Sequence, residues 1–327
     1  MTAMTLADLR SKVQDTSAFH ALDNYHAICR EFLGFLDNEH PTRIVSPTVP
    51  NYVFFQYGEQ FHHHITRPLN SDLFYESAEA FERAFTRFTD FLADLKRFQE
   101  RATQQPGRDA YIAAGEINKI VYTMQQAIGA IGDSFDSPNQ SRKRVGQLFE
   151  QLIRLIIINV GLVCEPRTVK IPIPGFAGYS MSYELDLVFS RDKAILTAGT
   201  AHIHPNEIVG SVKTTSKDRI DKIFLDKFLL SQLLQRHVPV VAIFLHDVQR
   251  ASSRTREGGS SMFGVNSTFK RNHFLGYTVA LNKLDGVYYV DPRPEMRKNQ
   301  LLSDQIRDFQ HFLITDLWRL SGDENNL

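Results

Sequence analysis

The chain has 327 residues, 43% hydrophobic and 23% charged, the composition of a globular protein with room for one large domain or two medium ones around a real core. Lys and Arg together number 37, as do Asp and Glu, so neutrality argues against a nonspecific DNA coater and any nucleic-acid surface must come from local clustering of basic side chains. Cys29 and Cys164 stand far apart with no CxxC, which excludes a disulfide framework or a zinc knuckle and points to the reduced cytoplasm.

In chain order, the first third reads as helical. Phe74, Phe81, Phe85, Phe88, Leu92, Leu95 and Phe98 recur every three or four residues among charged neighbours, the stripe of a long amphipathic helix and a core-packing feature. Upstream of it, His62, His63 and His64 are consecutive. Such side chains cannot converge on one ion in regular structure, so a polar loop is the expectation. A break at QQPGRD (104–109) precedes a second helical stretch, AYIAAGEINKIVYTMQQAIGAI, and the polar loop GDSFDSPNQS marks the domain boundary. A helical N-terminal domain over 1–140 and a second domain over 141–327 follow from this.

Beyond residue 140, helices alternate with strands. KRVGQLFEQLIRLIIINVG reads as a helix ended by Gly161, and its apolar run, IRLIIINVGLV, is too short and interrupted to span a bilayer. No membrane anchor or signal peptide is expected. VKIPIPG and YELDLVFS read as strands meeting across the GFAGYS turn, NEIVGSVK as a third, KDRIDKIFLDKFLLSQLLQR as a helix and VPVVAIFL as a strand apolar on both faces. The order predicts an α/β core with a central mixed sheet flanked by helices. Downstream, Arg250, Arg254, Arg256, Lys270 and Arg271 lie among Gly and Ser in what reads as a flexible basic loop. GYTVALNKLDGVYYVD reads as a hairpin turning near Asp285 and Gly286, and IRDFQHFLITDLWRL as an amphipathic helix.

Strand alternation sets the chemistry. Asp186 points opposite to Leu185 and Leu187, while Ser211 and Lys213 share one face of the next strand. An acid on one strand and a lysine ending the next is the PD-(D/E)XK nuclease arrangement. In it, carboxylates hold a hard divalent cation such as Mg²⁺, and the lysine orients or helps to deprotonate the attacking water. The usual acid two residues before the lysine is replaced here by Ser211, a poor ligand. The following helix offers a substitute: at about 100° per residue, Arg219, Lys222 and Asp226 fall on one face.

Asp186, the Ser211-Val212-Lys213 strand end and Asp226, thirteen residues past the lysine, resemble the branch of PD-(D/E)XK type II restriction endonucleases that reads CCGG, CCNGG and related sites. In that branch the second metal-binding carboxylate has moved from strand to helix. The resemblance covers residues 143 to 250. It implies that Asp186 and Asp226 bind metal, that Lys213 is the catalytic lysine, and that Glu150, on the preceding helix, supplements the site. It also implies that the Lys217-Asp218-Arg219 segment reads DNA, Asp218 and Arg219 contacting C and G bases. Arg can bond bidentately to guanine O6 and N7, and a carboxylate can accept from cytosine N4, so the pair has the chemistry for it. The family more often has Glu where Asp226 stands, a longer side chain.

The expected protein is a Mg²⁺-dependent, sequence-specific double-strand DNA endonuclease of a restriction-modification system, acting as a homodimer or dimer of dimers on a palindromic site. Two alternatives stay open. One is a repair or structure-specific nuclease on the same core. The other is a noncatalytic DNA-binding protein, in which Asp186, Lys213 and Asp226 form only a salt-bridged cluster and Lys217-Asp218-Arg219 is a solvated first turn capped by Ser216.

Overall fold

The computed structural model describes residues 4–193, 202–217, 219–254 and 260–322. Its strands are β1 (Thr42–Val45), β2 (Tyr52–Gln56), β3 (Leu69–Asn70), β4 (Val163–Pro172), β5 (Ser180–Ser190), β6 (Ile208–Thr215), β7 (Val240–His246), β8 (Val248–Arg254), β9 (Ser260–Ser267), β10 (Gly286–Tyr289) and β11 (Ile306–Asp308). The chain forms two compact units, one of Met1–Asp90, Ala113–Leu152 and Asp247–Thr268, the other of Phe91–Ile112, Ile153–His246 and Phe269–Leu327.

The first unit is built around the helix Glu116–Gly132, which is buried on nearly every face, its polar Asn118, Thr123, Gln125 and Gln126 included. Helices Leu6–Gln14 and Leu22–Glu39 pack against it. Tyr57 donates its hydroxyl to the Ala130 carbonyl at 2.8 Å, and Arg67 forks onto Asp133 at 2.7 and 2.9 Å. Gly129 is what lets Arg67 pass, because a Cβ there would sit 2.7 Å from the guanidinium. The unit is not purely helical: β1, β2 and β3 form an antiparallel sheet. Val248 and Val265 of β8 and β9 pack with Tyr52 and Phe54 of β2. The stretch expected as a flexible basic loop is therefore largely an antiparallel ribbon, anchored by apolar residues almost 200 positions away in sequence. Arg250 is exposed on it, whereas Arg256 and the side chain of Arg254 lie outside the described residues. His62 and His63 adopt left-handed backbone after a short 3-10 turn, the loop expected of the His62–His64 run.

The second unit holds a six-stranded sheet in the order β11-β10-β7-β6-β5-β4. The expected hairpin across GFAGYS is present, β4 and β5 pairing antiparallel as far as Pro172 and Ser180. β5 and β6 are antiparallel, β6 and β7 parallel, and β7, β10 and β11 continue parallel. The sheet thus changes sense at β6, the strand of Lys213. β7 is buried at every position, which explains its unbroken apolar sequence. The helix Ile220–Leu234 crosses from β6 to β7 and buries Ile223, Phe224 and Leu230 in the core beneath the sheet.

One expectation fails in this unit. GYTVALNKLDGVYYVD is not a hairpin: Arg271–Ala280 is a helix, and Gly286–Tyr289 pairs parallel with β7. Phe274 drives the difference by inserting beside Phe224, with ring centroids 5.7 Å apart, a tertiary contact that overrides the β-like local sequence. Gly286 is required for another reason. Tyr288 folds back along its own strand to reach Asp316, and a Cβ at 286 would lie 2.1 Å from its hydroxyl. The C-terminal segment begins as β11 and continues as a helix with a π-type turn over Phe312–Asp316. Among the described residues, no helix is long and apolar enough to cross a membrane.

Candidate active site

Leu187 of β5 lies opposite Gly210 of β6, and one step along this antiparallel register Asp186 meets Ser211. Three donors converge on one oxygen of Asp186: the Ser211 hydroxyl at 3.1 Å, the Val212 amide at 2.9 Å and the Lys213 ammonium at 2.5 Å. Both charged side chains are only about one-fifth exposed, Lys213 at 22% and Asp186 at 18%. Charge-assisted hydrogen bonds in such a setting are short and strong, so the pair is held in one geometry. Ser211, a poor metal ligand by its chemistry, acts here as a hydrogen-bond donor to the acid.

Asp226 sits on the helix Ile220–Leu234, with Lys222 one turn before it and 3.7 Å away. Burial pushes its carboxyl above the ordinary range. Lys222 and Lys213 pull it back, and the negative charge of Asp186 adds to the rise. Asp226 is therefore close enough to Asp186 and Lys213 for their charges to act on it, and burial is the largest cause of the rise. Tyr183 of β5 senses it too: burial and then the Asp226 charge raise the phenol above its usual value.

The candidate ligands are the carboxylates of Asp186 and Asp226, oxygen donors that suit a hard divalent cation. Among the described residues, no group of three or more His, Cys, Asp or Glu is arranged to hold a metal. A cation bound between Asp186 and Asp226 would take its remaining ligands from water and substrate oxygens, as Mg²⁺ commonly does.

The other expected residues are more scattered. Lys217 lies in the turn after β6 and is exposed. Arg219, also exposed, is the N-cap of the helix, its amide bonded to the Ser216 carbonyl at 3.3 Å. Ser216 does not cap the helix. Its hydroxyl is buried and has no partner among the described residues. Asp218 lies outside the described residues. Glu150 is on the helix Pro138–Asn159, half-buried, in the stretch that belongs to the first unit.

Two residues near this site escaped the sequence reading. Lys227, next to Asp226, is buried at 2% exposure with its ammonium 2.6 Å from Asp285. In sequence it reads as one more solvated helix cation, and Asp285 as a turn residue. No local signal couples positions 58 residues apart.

Among solved structures, the chain is similar to the type IIP restriction endonuclease Kpn2I, with a TM-score of 0.61 and 16% identity over 97% of each chain. A complex of the restriction endonuclease PspGI with substrate DNA aligns with 74% of this chain and 92% of its own, at 12% identity and a TM-score of 0.36. No protein-family profile and no curated protein matches the sequence. At 16% identity the likeness to Kpn2I is one of fold, and the fold of this chain, a mixed six-stranded sheet flanked by helices, is that of a restriction endonuclease.

Proposed function

We propose that the chain is a type II restriction endonuclease that makes Mg²⁺-dependent, sequence-specific double-strand cuts in DNA at a CCGG- or CCNGG-like palindromic site. Residues 141–327 carry the catalytic machinery, preceded over 1–140 by a mainly helical segment that includes the small β1-β2-β3 sheet. The observation that carries the reading is the convergence of Ser211, Val212 and Lys213 on Asp186 where β5 and β6 pair, within this fold.

In this reading Asp186 and Asp226 hold the metal. The bound cation supplies charge neutralisation for the attacked phosphodiester and lowers the pKa of a coordinated water. Lys213 donates hydrogen bonds to the incoming water and to the phosphate oxygens, and its ammonium is already aimed by Asp186. Lys217 contacts phosphate, and Asp218 with Arg219 reads C and G in the major groove. A palindromic site and one catalytic centre per chain call for a two-fold symmetric dimer or a dimer of dimers.

An ion pair between Asp186 and Lys213 is also what a noncatalytic salt-bridged cluster would contain. Cleavage separates the two readings, because a closed salt-bridged cluster has no route to metal-assisted hydrolysis of DNA.

The test is incubation of plasmid and phage DNA with the purified protein and Mg²⁺. Discrete fragments with mapped ends at one palindromic sequence are expected. A smear would indicate a structure-specific or repair nuclease, and intact DNA a noncatalytic binder.

A further inference from the structure

The helix Ile220–Leu234 carries Asp226 and, on its next flank, Lys227. Lys227 is the most buried ammonium described along the sheet. It donates to Asp285 at 2.6 Å and to the Lys283 carbonyl. The same Asp285 oxygen accepts the Val240 amide at 2.7 Å, and its other oxygen faces His237 at 3.0 Å. Asp285 precedes β10 by one residue and Val240 begins β7, so one carboxylate joins the helix to the first residues of two parallel strands.

Burying an ammonium and a carboxylate costs solvation that their attraction need not recover, and a well-packed apolar pair would often be as stable. What an apolar pair lacks is direction. The helix has no side-chain N-cap bond, and its apolar contacts through Ile223, Phe224 and Leu230 would tolerate small rotations or slides. A buried ammonium held by both Asp285 and the Lys283 carbonyl restricts both. Because positions 226 and 227 are neighbours about 100° apart around the same helix axis, a restraint on Lys227 also limits the rotation and sliding of Asp226.

We infer that Lys227 and Asp285 are positioning residues for the metal site, holding the helix so that the Asp226 carboxylate faces Asp186 and Lys213. This rests on the reading of Asp226 as a metal ligand. Neither Lys227 nor Asp285 touches metal or DNA in it. The pair acts through the helix, as outer-shell partners orient first-shell ligands elsewhere.

The test is calorimetric titration of the full-length protein with Ca²⁺ in the presence of a cognate duplex, at a temperature well below every variant's melting point. Lys227→Met should weaken Ca²⁺ binding by about 10-fold or more, within the range of outer-shell effects, while affinity for the duplex without metal is unchanged. Where Lys227→Met does not fold, Asp285→Asn, which keeps an acceptor for Val240, gives the same comparison. A purely structural role is excluded by Lys227→Met/Asp285→Asn, which removes both charges: its melting temperature should recover toward wild type while Ca²⁺ affinity stays low. Unchanged Ca²⁺ affinity in the single variant, or affinity recovering with stability in the double one, overturns the inference. Absence of Ca²⁺ binding in the wild-type protein would instead sink the metal-site reading itself.

Discussion

The Lys213 ammonium lies 2.5 Å from the Asp186 carboxylate, on neighbouring antiparallel strands and with both side chains largely withdrawn from solvent. Each therefore depends on the other for its aim. Lys213→Ala and Asp186→Ala should each reduce cleavage of cognate DNA by about 10²- to 10³-fold, the range for losing one electrostatic catalytic group. Binding of the duplex in Ca²⁺ should persist for Lys213→Ala. Near-normal cleavage by that variant would remove the lysine from the chemistry.

Asp226 makes a prediction with a sign. Its carboxyl is raised in the folded protein, by burial first, so the folded state holds that proton more tightly than the unfolded chain does. The associated stability is present below the ordinary carboxylate value and is lost as pH rises through the raised one. Metal-free Asp226→Asn should consequently melt above wild type at neutral pH, by about 1 to 3 °C, with the gap closing in acid. The same variant should lose cleavage, and Ser211→Glu added to it should restore part of the activity by returning a carboxylate to β6. Full activity of Asp226→Asn alone would assign the second ligand elsewhere.

Arg219 is exposed at the start of the helix that follows β6, where a base-reading side chain would have room to reach DNA. A good bidentate contact contributes roughly 1 to 3 kcal/mol of preference for the right base pair. Arg219→Ala should therefore lose about 10- to 100-fold in cognate affinity while nonspecific binding stays put, measured by competition in Ca²⁺ between a CCGG or CCNGG duplex and a scrambled one. Wild-type discrimination in this variant would leave the segment a solvated helix start.

Asp316 tests the fold independently of function. It is buried, which alone would raise its carboxyl. Hydrogen bonds from His311, Tyr288 and Arg319 outweigh that and hold it at about 2 against an ordinary 3.8. A depressed acid contributes stability that is present above its unfolded value and disappears as pH falls through the folded one. Asp316→Asn should cost on the order of 2 kcal/mol at pH 7, and chemical denaturation of both proteins should show the difference shrinking between about pH 4 and pH 2. A constant difference across that range would mean the carboxylate charge is not what Tyr288 and Arg319 recognise.

The legible parts of the molecule were those whose partners are local. Alternation in YELDLVFS and NEIVGSVK was enough to put Asp186 opposite its apolar neighbours and Ser211 with Lys213, and the hairpin across GFAGYS needed only its own turn. The apolar stripe from Phe81 to Phe98 likewise matched the helix Ala78–Phe98. What escaped depends on distant residues. The helix Arg271–Ala280 exists because Phe274 finds Phe224, and the β8 and β9 ribbon because Val248 and Val265 find Tyr52 and Phe54. Lys227 looks like any helix-surface lysine until Asp285 arrives from 58 residues away.

The two outer strands of the large sheet bear on how copies of the chain meet. β11 is three residues long, with exposed Arg307 at its centre. β4 carries an irregularity between Glu165 and Arg167, where Pro166 has no amide to donate, then an outward Lys170 and a terminal Pro172. Short length, charge, proline and a bulge are the devices that stop an open edge from recruiting another strand. The sheet is thus protected at both margins against edge-to-edge aggregation, and in the proposed two-fold assembly the six-stranded sheets of the two copies would not join strand to strand.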